Sequence, residues 1–477
     1  MPTSGVSPIV SRMESYRTVR EYRSVLRTSD RRLRPVHLGK ATSLDGRSFT
    51  FSMSASTSIL IGDLVAVVHA DGRRLVGQVR ERSAAGGQGV VLSSEGGPFD
   101  DAAVEPATPE ETARVLGEPD LVIGTTRSGS QVAASLIGGA FNRHTFLCGQ
   151  SGSGKTYTLG AILERILVGT SLPLVIVDPN ADFVGLGRLR DDATGPIAEA
   201  LRDVGPGVRS FGIGRDADRL TLRYRELKRA VAAAVLRLDP AIDREEFNEL
   251  IRLPDGVASS PQEITAVMRA AGRPALDALA ARIENLGVLD WDIWAWGGAS
   301  VLDTIASPST RATVLDLSGA GGTAERATAA LAVLDHLWTH REERRPMLIV
   351  IDEAHNVCSA APTDPVQALA TERLIDIAAE GRKYGLWLLL STQRPSKIHP
   401  QVLSQCDNLV VMRMNAQADL QQLGDAFGFA PPAMLAQAVT FRKGEALLAG
   451  GFVNIPMTVQ VGVRHTVEGG SDVAVPR

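Results

Sequence analysis

Cysteine is scarce in this chain. Its three copies, Cys148, Cys358 and Cys406, lie far apart with no paired spacing. That excludes a disulfide framework and a cysteine-built zinc site, and it fits a reducing, cytoplasmic setting. Long apolar runs are also missing. The longest, "MLIVI" and "LWLLL", fall far short of the ~20 residues needed to cross a bilayer. The first residues carry arginines without the apolar stretch of a secretory leader, so neither export nor a membrane is expected. An excess of one charge is absent as well: 50 Lys and Arg face 54 Asp and Glu, a net charge of −4. This excludes a uniformly basic nucleic-acid coat but leaves room for a local basic channel, because net charge says nothing of distribution. No internal repeat or long low-complexity block interrupts the chain.

What is present is an ordinary globular composition, 44% hydrophobic and 22% charged over 477 residues, enough for two or three domains. Residues 1–34 are rich in Arg and Ser and read as a flexible basic arm or a marginal helix, with a partner- or DNA-binding tail as the alternative. Residues 35–120 hold short β-rich runs separated by Gly- and Asp-containing turns, the texture of a small all-β barrel. From residue 121 to 465 the pattern becomes strand, glycine turn, helix, strand. That alternation predicts an α/β fold with a parallel sheet. Helical patterns with few strand signals mark a helical insertion over about residues 185 to 300. The end, "GEALLAGGFVNIPMTVQVGV", reads as a closing hairpin, and residues 466–477 as a tail.

The sharpest local signal is "RHTFLCGQSGSGKT". An apolar strand stops at Gly149, and Gln150, Ser151, Gly152, Ser153 and Gly154 lead into Lys155 and Thr156. Glycines at these places let successive N–H groups converge on one anion. The helix that begins near Lys155 adds its positive end. The pattern is that of a phosphate-binding P-loop, with Lys155 as a point charge on the β and γ phosphates of ATP and Thr156 as a hydroxyl for Mg²⁺. The loop is expected to face solvent when empty.

A second signal is "MLIVIDEAHN". Asp352 at the tip of a buried strand is suited to hold Mg²⁺, and Glu353 to deprotonate the attacking water. The strand "LWLLLSTQRP" ends in Ser391, Thr392, Gln393 and Arg394; Gln393 is the candidate for touching the γ phosphate or the water. Charge on the transferring phosphoryl group calls for an arginine. Arg382 and Arg143 are the candidates, each able to point at a neighbour's nucleotide in a ring. Asp178 in "VIVDPN" either buttresses the Mg²⁺ site or caps the following turn. His355 either couples a moving loop to nucleotide state or is a packed polar residue. Arg394 and Lys397 in "QRPSKIHP" are either DNA-channel contacts or loop structure.

Together, "RHTFLCGQSGSGKT", "VIVDPNADF", "LIVIDEAHN", "EGRKYGLWLLLSTQRPSKIHPQVLSQCDN" and the β-rich beginning resemble the HerA-type ATPases of the HerA/FtsK superfamily over about residues 36 to 465. The resemblance implies a RecA-like P-loop NTPase core preceded by a HAS-barrel. It implies a homohexameric ring with nucleotide at each subunit boundary, acting on double-stranded DNA with a nuclease or effector docked on the barrel. By motif position, Lys155, Thr156, Asp352 and Glu353 inherit nucleotide and catalytic roles, Gln393 the sensor role, and Arg382 and Arg143 candidate finger roles. The expected function is an ATP-driven DNA translocase or helicase. An ATP-switched scaffold that activates an anti-phage effector and a conjugation or secretion coupling ATPase are the alternatives.

Overall fold

The computed structural model describes residues 37–53, 59–93, 97–127, 131–215, 218–224, 227–253, 261–296 and 298–470. The basic arm expected over residues 1–34 and the last seven residues of the tail lie outside these.

Six strands come first: β1 (Gly39–Ser43), β2 (Ser48–Met53), β3 (Leu64–Val68), β4 (Arg74–Arg82), β5 (Gly86–Val91) and β6 (Phe99–Pro106). They close into a barrel in the order β1-β2-β5-β4-β3-β6, with every pairing antiparallel. Alternation along β2 turns Phe49 and Phe51 inward, where they meet Val65, Val67, Val79 and Val104. Gly89 makes room for this packing, because a Cβ there would lie 2.3 Å from the Phe49 ring. Closure leaves no open sheet edge to aggregate. Gln78 of β4 is fully buried and ties the barrel to the rest of the chain, donating to Gly62 O at 3.1 Å and Pro456 O at 2.7 Å.

Helix α1 (Pro109–Leu116) follows, started by a reciprocal capping box between Thr108 and Glu111. The hairpin β7 (Leu121–Thr126) and β8 (Ala133–Leu136) then enters an 11-stranded sheet. Its parallel part alternates with helices. In chain order these are β9 (His144–Cys148), α2 (Lys155–Gly169), β10 (Leu174–Asp178), α3 (Pro196–Val204) and β11 (Val208–Gly212). A run of helices intervenes: α4 (Arg229–Val235), α5 (Arg244–Arg252), α6 (Pro261–Ala270), α7 (Pro274–Leu286) and α8 (Val301–Ile305). The sheet resumes with β12 (Ala312–Asp316), α9 (Thr323–Thr339), β13 (Met347–Ile351), α10 (Pro365–Glu380), β14 (Leu386–Thr392), α11 (Pro400–Leu403) and β15 (Cys406–Val411). Last come α12 (Gln417–Ala426), α13 (Pro432–Ala436), β16 (Glu445–Gly450) and β17 (Met457–Val461).

The sheet order is β11-β12-β10-β13-β14-β9-β15-β16-β17-β7-β8. From β11 to β15 all neighbours are parallel; from β15 onward they are antiparallel. Strands β9, β10, β12 and β13 are buried along their whole length, as continuous apolar runs with helices on both faces require. The fold is thus a RecA-like P-loop core with a helical insertion behind a small β-barrel.

The segment read as helical does contain a strand. Val208–Gly212 adds the outermost parallel strand, and only its last two residues are buried. An edge strand lacks the apolar density of a central one, so its sequence gave little signal. The three cysteines are buried and unpaired.

Candidate nucleotide-binding and catalytic site

Parallel pairing puts the carboxyl ends of β9, β10, β13, β14 and β15 on one edge of the sheet. The loop after β9 is braced there on both sides. Gly149 N donates to Thr392 O at 3.3 Å, and Gln150 N donates to Arg413 O at 2.9 Å. Gly149 faces Met412 so closely that a Cβ would come within 2.7 Å of the Met412 Cβ. Gly152 and Gly154 have φ of +73° and +93°, the left-handed region that glycine enters without strain. Gly154 is the cap from which α2 begins. Ser151 and Gly152 are exposed, Ser153 is buried, and Thr156 on the first turn is half-buried.

Lys155 departs from the expected solvent-facing loop. It is 5% exposed and its ammonium is shared among three groups: Asp352 Oδ1 at 2.7 Å, Ser391 Oγ at 3.0 Å and Glu353 Oε1 at 3.1 Å. Burial alone would lower its pKa. The two carboxylates outweigh that and raise it, so the residue stays charged. Such a buried ion cluster adds little to stability, because desolvation cancels much of the Coulomb attraction. At the mouth of an anion-binding loop it marks function.

Asp352 and Glu353 differ in backbone conformation. Asp352 continues the line of β13 and is 1% exposed. Its Oδ1 takes bonds from Lys155 and from Ser391 Oγ at 2.7 Å, while its Oδ2 is buried without a partner. That orphaned oxygen and the Thr156 hydroxyl fit a Mg²⁺ ion bound mainly through phosphate and water. No cluster of three or more His, Cys, Asp or Glu suited to a metal occurs among the described residues, as expected where substrate oxygens complete the shell.

Glu353 turns sharply out of the strand, with φ +45° and ψ +49°. This left-handed conformation is costly for a residue with a Cβ and tends to occur at functional sites. It aims the carboxylate along the edge, where Gln393 Nε2 donates to Oε1 at 2.8 Å and His355 Nδ1 lies 3.3 Å from Oε2. His355 Nδ1 is also 3.1 Å from Thr392 Oγ1, and burial lowers its pKa. Glu353, His355, Gln393, Asn180, Asn356 and Arg394 line an open cleft of about 260 Å³.

Asp178 caps the turn after β10. Its carboxylate accepts from Asn180 N, Asp182 N and Phe183 N at 3.3, 3.0 and 2.8 Å. Of the two readings of this residue, the geometry carries the cap. Burial pushes its carboxyl up to about 7.

Arg143 and Arg382 lie at the opposite edge, before β9 and β14. Arg382 Nη1 donates to Asp407 Oδ2 at 2.8 Å, and Arg143 Nε is 3.6 Å from the same oxygen. The sheet separates both from Lys155 of their own chain. Between them His144 is fully buried at the start of β9. It accepts from Leu388 N and faces Ala378 O, and burial holds its pKa down at about 4.

Sequence reasoning placed the charged residues and missed the polar ones beside them. Ser391, fully buried between Lys155 and Asp352, was visible at the strand end, but nothing local separated it from Gln393. Asn180 and Asn356 lie within the quoted motifs "VIVDPNADF" and "LIVIDEAHN", but neither is singled out there. Arg394 lines the cleft beside Glu353 and Gln393.

Residues 121–252 match the family described as "Helicase HerA, central domain". A DNA double-strand break repair helicase HerA of Sulfurisphaera tokodaii is 23% identical over 393 residues, covering 77% of this chain and 74% of that protein. Its namesake in Sulfolobus acidocaldarius is 23% identical over 385 residues, with the same two coverages. A probable DNA double-strand break repair helicase HerA of Methanocaldococcus jannaschii is 30% identical over 131 residues, 28% of this chain and only 25% of that protein's length. Among solved structures, VirB4 of Thermoanaerobacter pseudethanolicus superposes with a TM-score of 0.52 at 17% identity, covering 73% of this chain and 97% of that one. The bacterial conjugative coupling protein TrwB superposes with a TM-score of 0.51 at 14% identity, covering 79% and 97%. These two likenesses are of fold. The resemblance to HerA-type ATPases read from the motifs is borne out.

Proposed function

We propose that this chain is an ATP-driven motor of the HerA type that works as a homohexameric ring on double-stranded DNA. The observation that carries the proposal is the convergence of Lys155, Asp352, Glu353 and Gln393, drawn from three separate strands, on one edge of a parallel sheet. The HerA-named relatives supply the DNA substrate.

In this reading the backbone N–H groups of residues 149–156 cradle the phosphates and Lys155 leaves the carboxylates to meet them. Thr156 and Asp352 hold Mg²⁺, which supplies charge neutralisation on the β and γ phosphates. Glu353 takes a proton from the attacking water as the water oxygen bonds to the γ phosphorus and the bond from that phosphorus to the β-phosphate oxygen breaks, leaving ADP and phosphate. Gln393 orients that water from across the cleft. Arg382 or Arg143 completes the site of the next subunit, since neither reaches its own. A nuclease or effector partner docks on the barrel. No described helix is long and apolar enough to cross a membrane.

The test is the ATPase rate with and without linear duplex DNA. Stimulation by duplex, and a ring by sedimentation, support the motor. Hydrolysis indifferent to DNA would sink the translocase reading and leave an ATPase of another purpose.

A further inference from the structure

Arg413 sits where β15 ends, directly beside the phosphate loop. Its main-chain oxygen receives the N–H of Gln150, so the end of this strand and the start of the loop are fixed to each other. Its side chain extends over the loop. Nη2 is 3.5 Å from Gly152 O and 3.8 Å from where a Gly152 Cβ would stand. The Nε atom is buried with no hydrogen-bond partner. No carboxylate forms an ion pair with Arg413 among the described residues, whereas two other cations near this edge are paired. Lys155 has Asp352 and Glu353, and Arg127 has Glu445.

A half-buried guanidinium that is charged, short of acceptors and held by its own backbone at an anion-binding loop is an incomplete site. Among the described residues its one side-chain hydrogen bond is to a carbonyl at the limit of hydrogen-bonding distance, and burying a donor without a partner is costly. The phosphate chain of a nucleotide seated on the loop would bring oxygens beside Gly152, exactly the group type that a planar fork of N–H donors recognises. The opposite flank of the loop is covered by the turn at Lys443 and Gly444: Gly444 N donates to Ser153 O at 2.9 Å, and Gly444 and the Lys443 side chain abut Gly154.

From this geometry we infer that Arg413 is a nucleotide-binding residue acting in cis, donating to the phosphate chain of the nucleotide on its own P-loop. It is a third arginine, distinct from Arg143 and Arg382 at the far edge. The inference rests on the nucleotide reading of the site given above.

The test is calorimetric titration of Mg²⁺-ATP, ADP and inorganic tripolyphosphate into the full chain and its Arg413→Ala and Arg413→Lys variants. Loss of a charge-assisted hydrogen bond should weaken ATP by about ten- to a hundred-fold. Tripolyphosphate should weaken in parallel, because the contact is to phosphate. Arg413→Lys should recover part of the loss, which a merely structural role would not predict, and unchanged thermal melting should accompany both variants. If Arg413→Ala binds ATP as the wild type does, the assignment is wrong. Weaker ATP with unaltered tripolyphosphate overturns it too, by moving the contact to the nucleoside. Wild-type protein that binds neither ligand instead overturns the nucleotide reading on which the inference stands.

Discussion

Lys155 Nζ lies 3.1 Å from Glu353 Oε1, so the residue proposed to meet phosphate and the residue proposed as base form one buried ion pair. In the proposed function Lys155 would move to phosphate, which would free Glu353 to accept a proton and link nucleotide binding to the readiness of the base.

Glu353→Gln keeps size and hydrogen bonding and removes the base. Turnover should fall by about 10²–10⁴-fold while ATP still binds. Lys155→Ala is the less clean probe, because it also strips Asp352 and Glu353 of their buried counter-charge and is expected to lower the melting temperature. Rapid-quench hydrolysis together with nucleotide titration checks both. Wild-type turnover in Glu353→Gln would move the base elsewhere.

Arg382 and Arg143 share Asp407 at the edge away from the loop. Arg382→Ala should abolish hydrolysis by emptying the neighbour's site, with little change in stability, since a half-exposed pair contributes under about 1 kcal/mol. Mixing it with Lys155→Ala under confirmed subunit exchange should restore part of the ATPase activity, because some boundaries then join an intact Lys155 to an intact Arg382. No recovery on mixing points to a cis role or to strict coordination around the ring. A covalently linked dimer with both changes in one protomer separates these two. Normal hydrolysis by Arg382→Ala alone would transfer the role to Arg143.

Glu164 is buried without exposure inside α2 and strapped to the last described segment. It accepts from His465 N at 2.8 Å, Thr466 N at 2.6 Å, Thr466 Oγ1 at 2.7 Å and Arg165 Nη1 at 2.7 Å. Glu164→Ala leaves the His465 and Thr466 donors without this buried acceptor. It should destabilise the fold by about 3 kcal/mol or more, read as a lower thermal midpoint. An unchanged midpoint would mean that the strap contributes nothing to stability.

Asp182 has its carboxyl pushed up to about 6, first by burial and then by the charge of Asp352. A carboxyl with a raised pKa binds more protons folded than unfolded between about pH 4 and pH 6. Its contribution to stability is therefore present at the low end and lost as pH rises through that window. Asp182→Asn should gain thermal stability relative to the wild type near pH 7.5 and not near pH 4.5, by about 1 kcal/mol after allowing for solvent exposure. Equal differences at both pH values would contradict the shift.

Much was legible before any coordinates. Strand β13 followed by Asp352 and Glu353, and strand β9 followed by the glycine loop and Lys155, declare themselves because a buried parallel strand is a continuous apolar run and the phosphate loop needs glycine at fixed spacing. Helix α2 begins at Lys155 as its pattern required. Val208–Gly212 was not legible, because an edge strand buries too little to need apolar residues throughout.

The sequence by itself determined the chemistry on offer: an anion-binding loop, two acids, a sensor amide and a choice of arginines. Local spacing sets these, since each is a short run whose residue types follow from one backbone conformation. Tertiary structure alone decided who meets whom. The strand order β13-β14-β9-β15 puts Ser391 against Lys155 and Arg413 against Gly152, and it sends Arg143 and Arg382 to the far edge. Those pairings join residues more than a hundred positions apart. Their physical cause is sheet register, which depends on the whole buried core and on no local stretch of the chain.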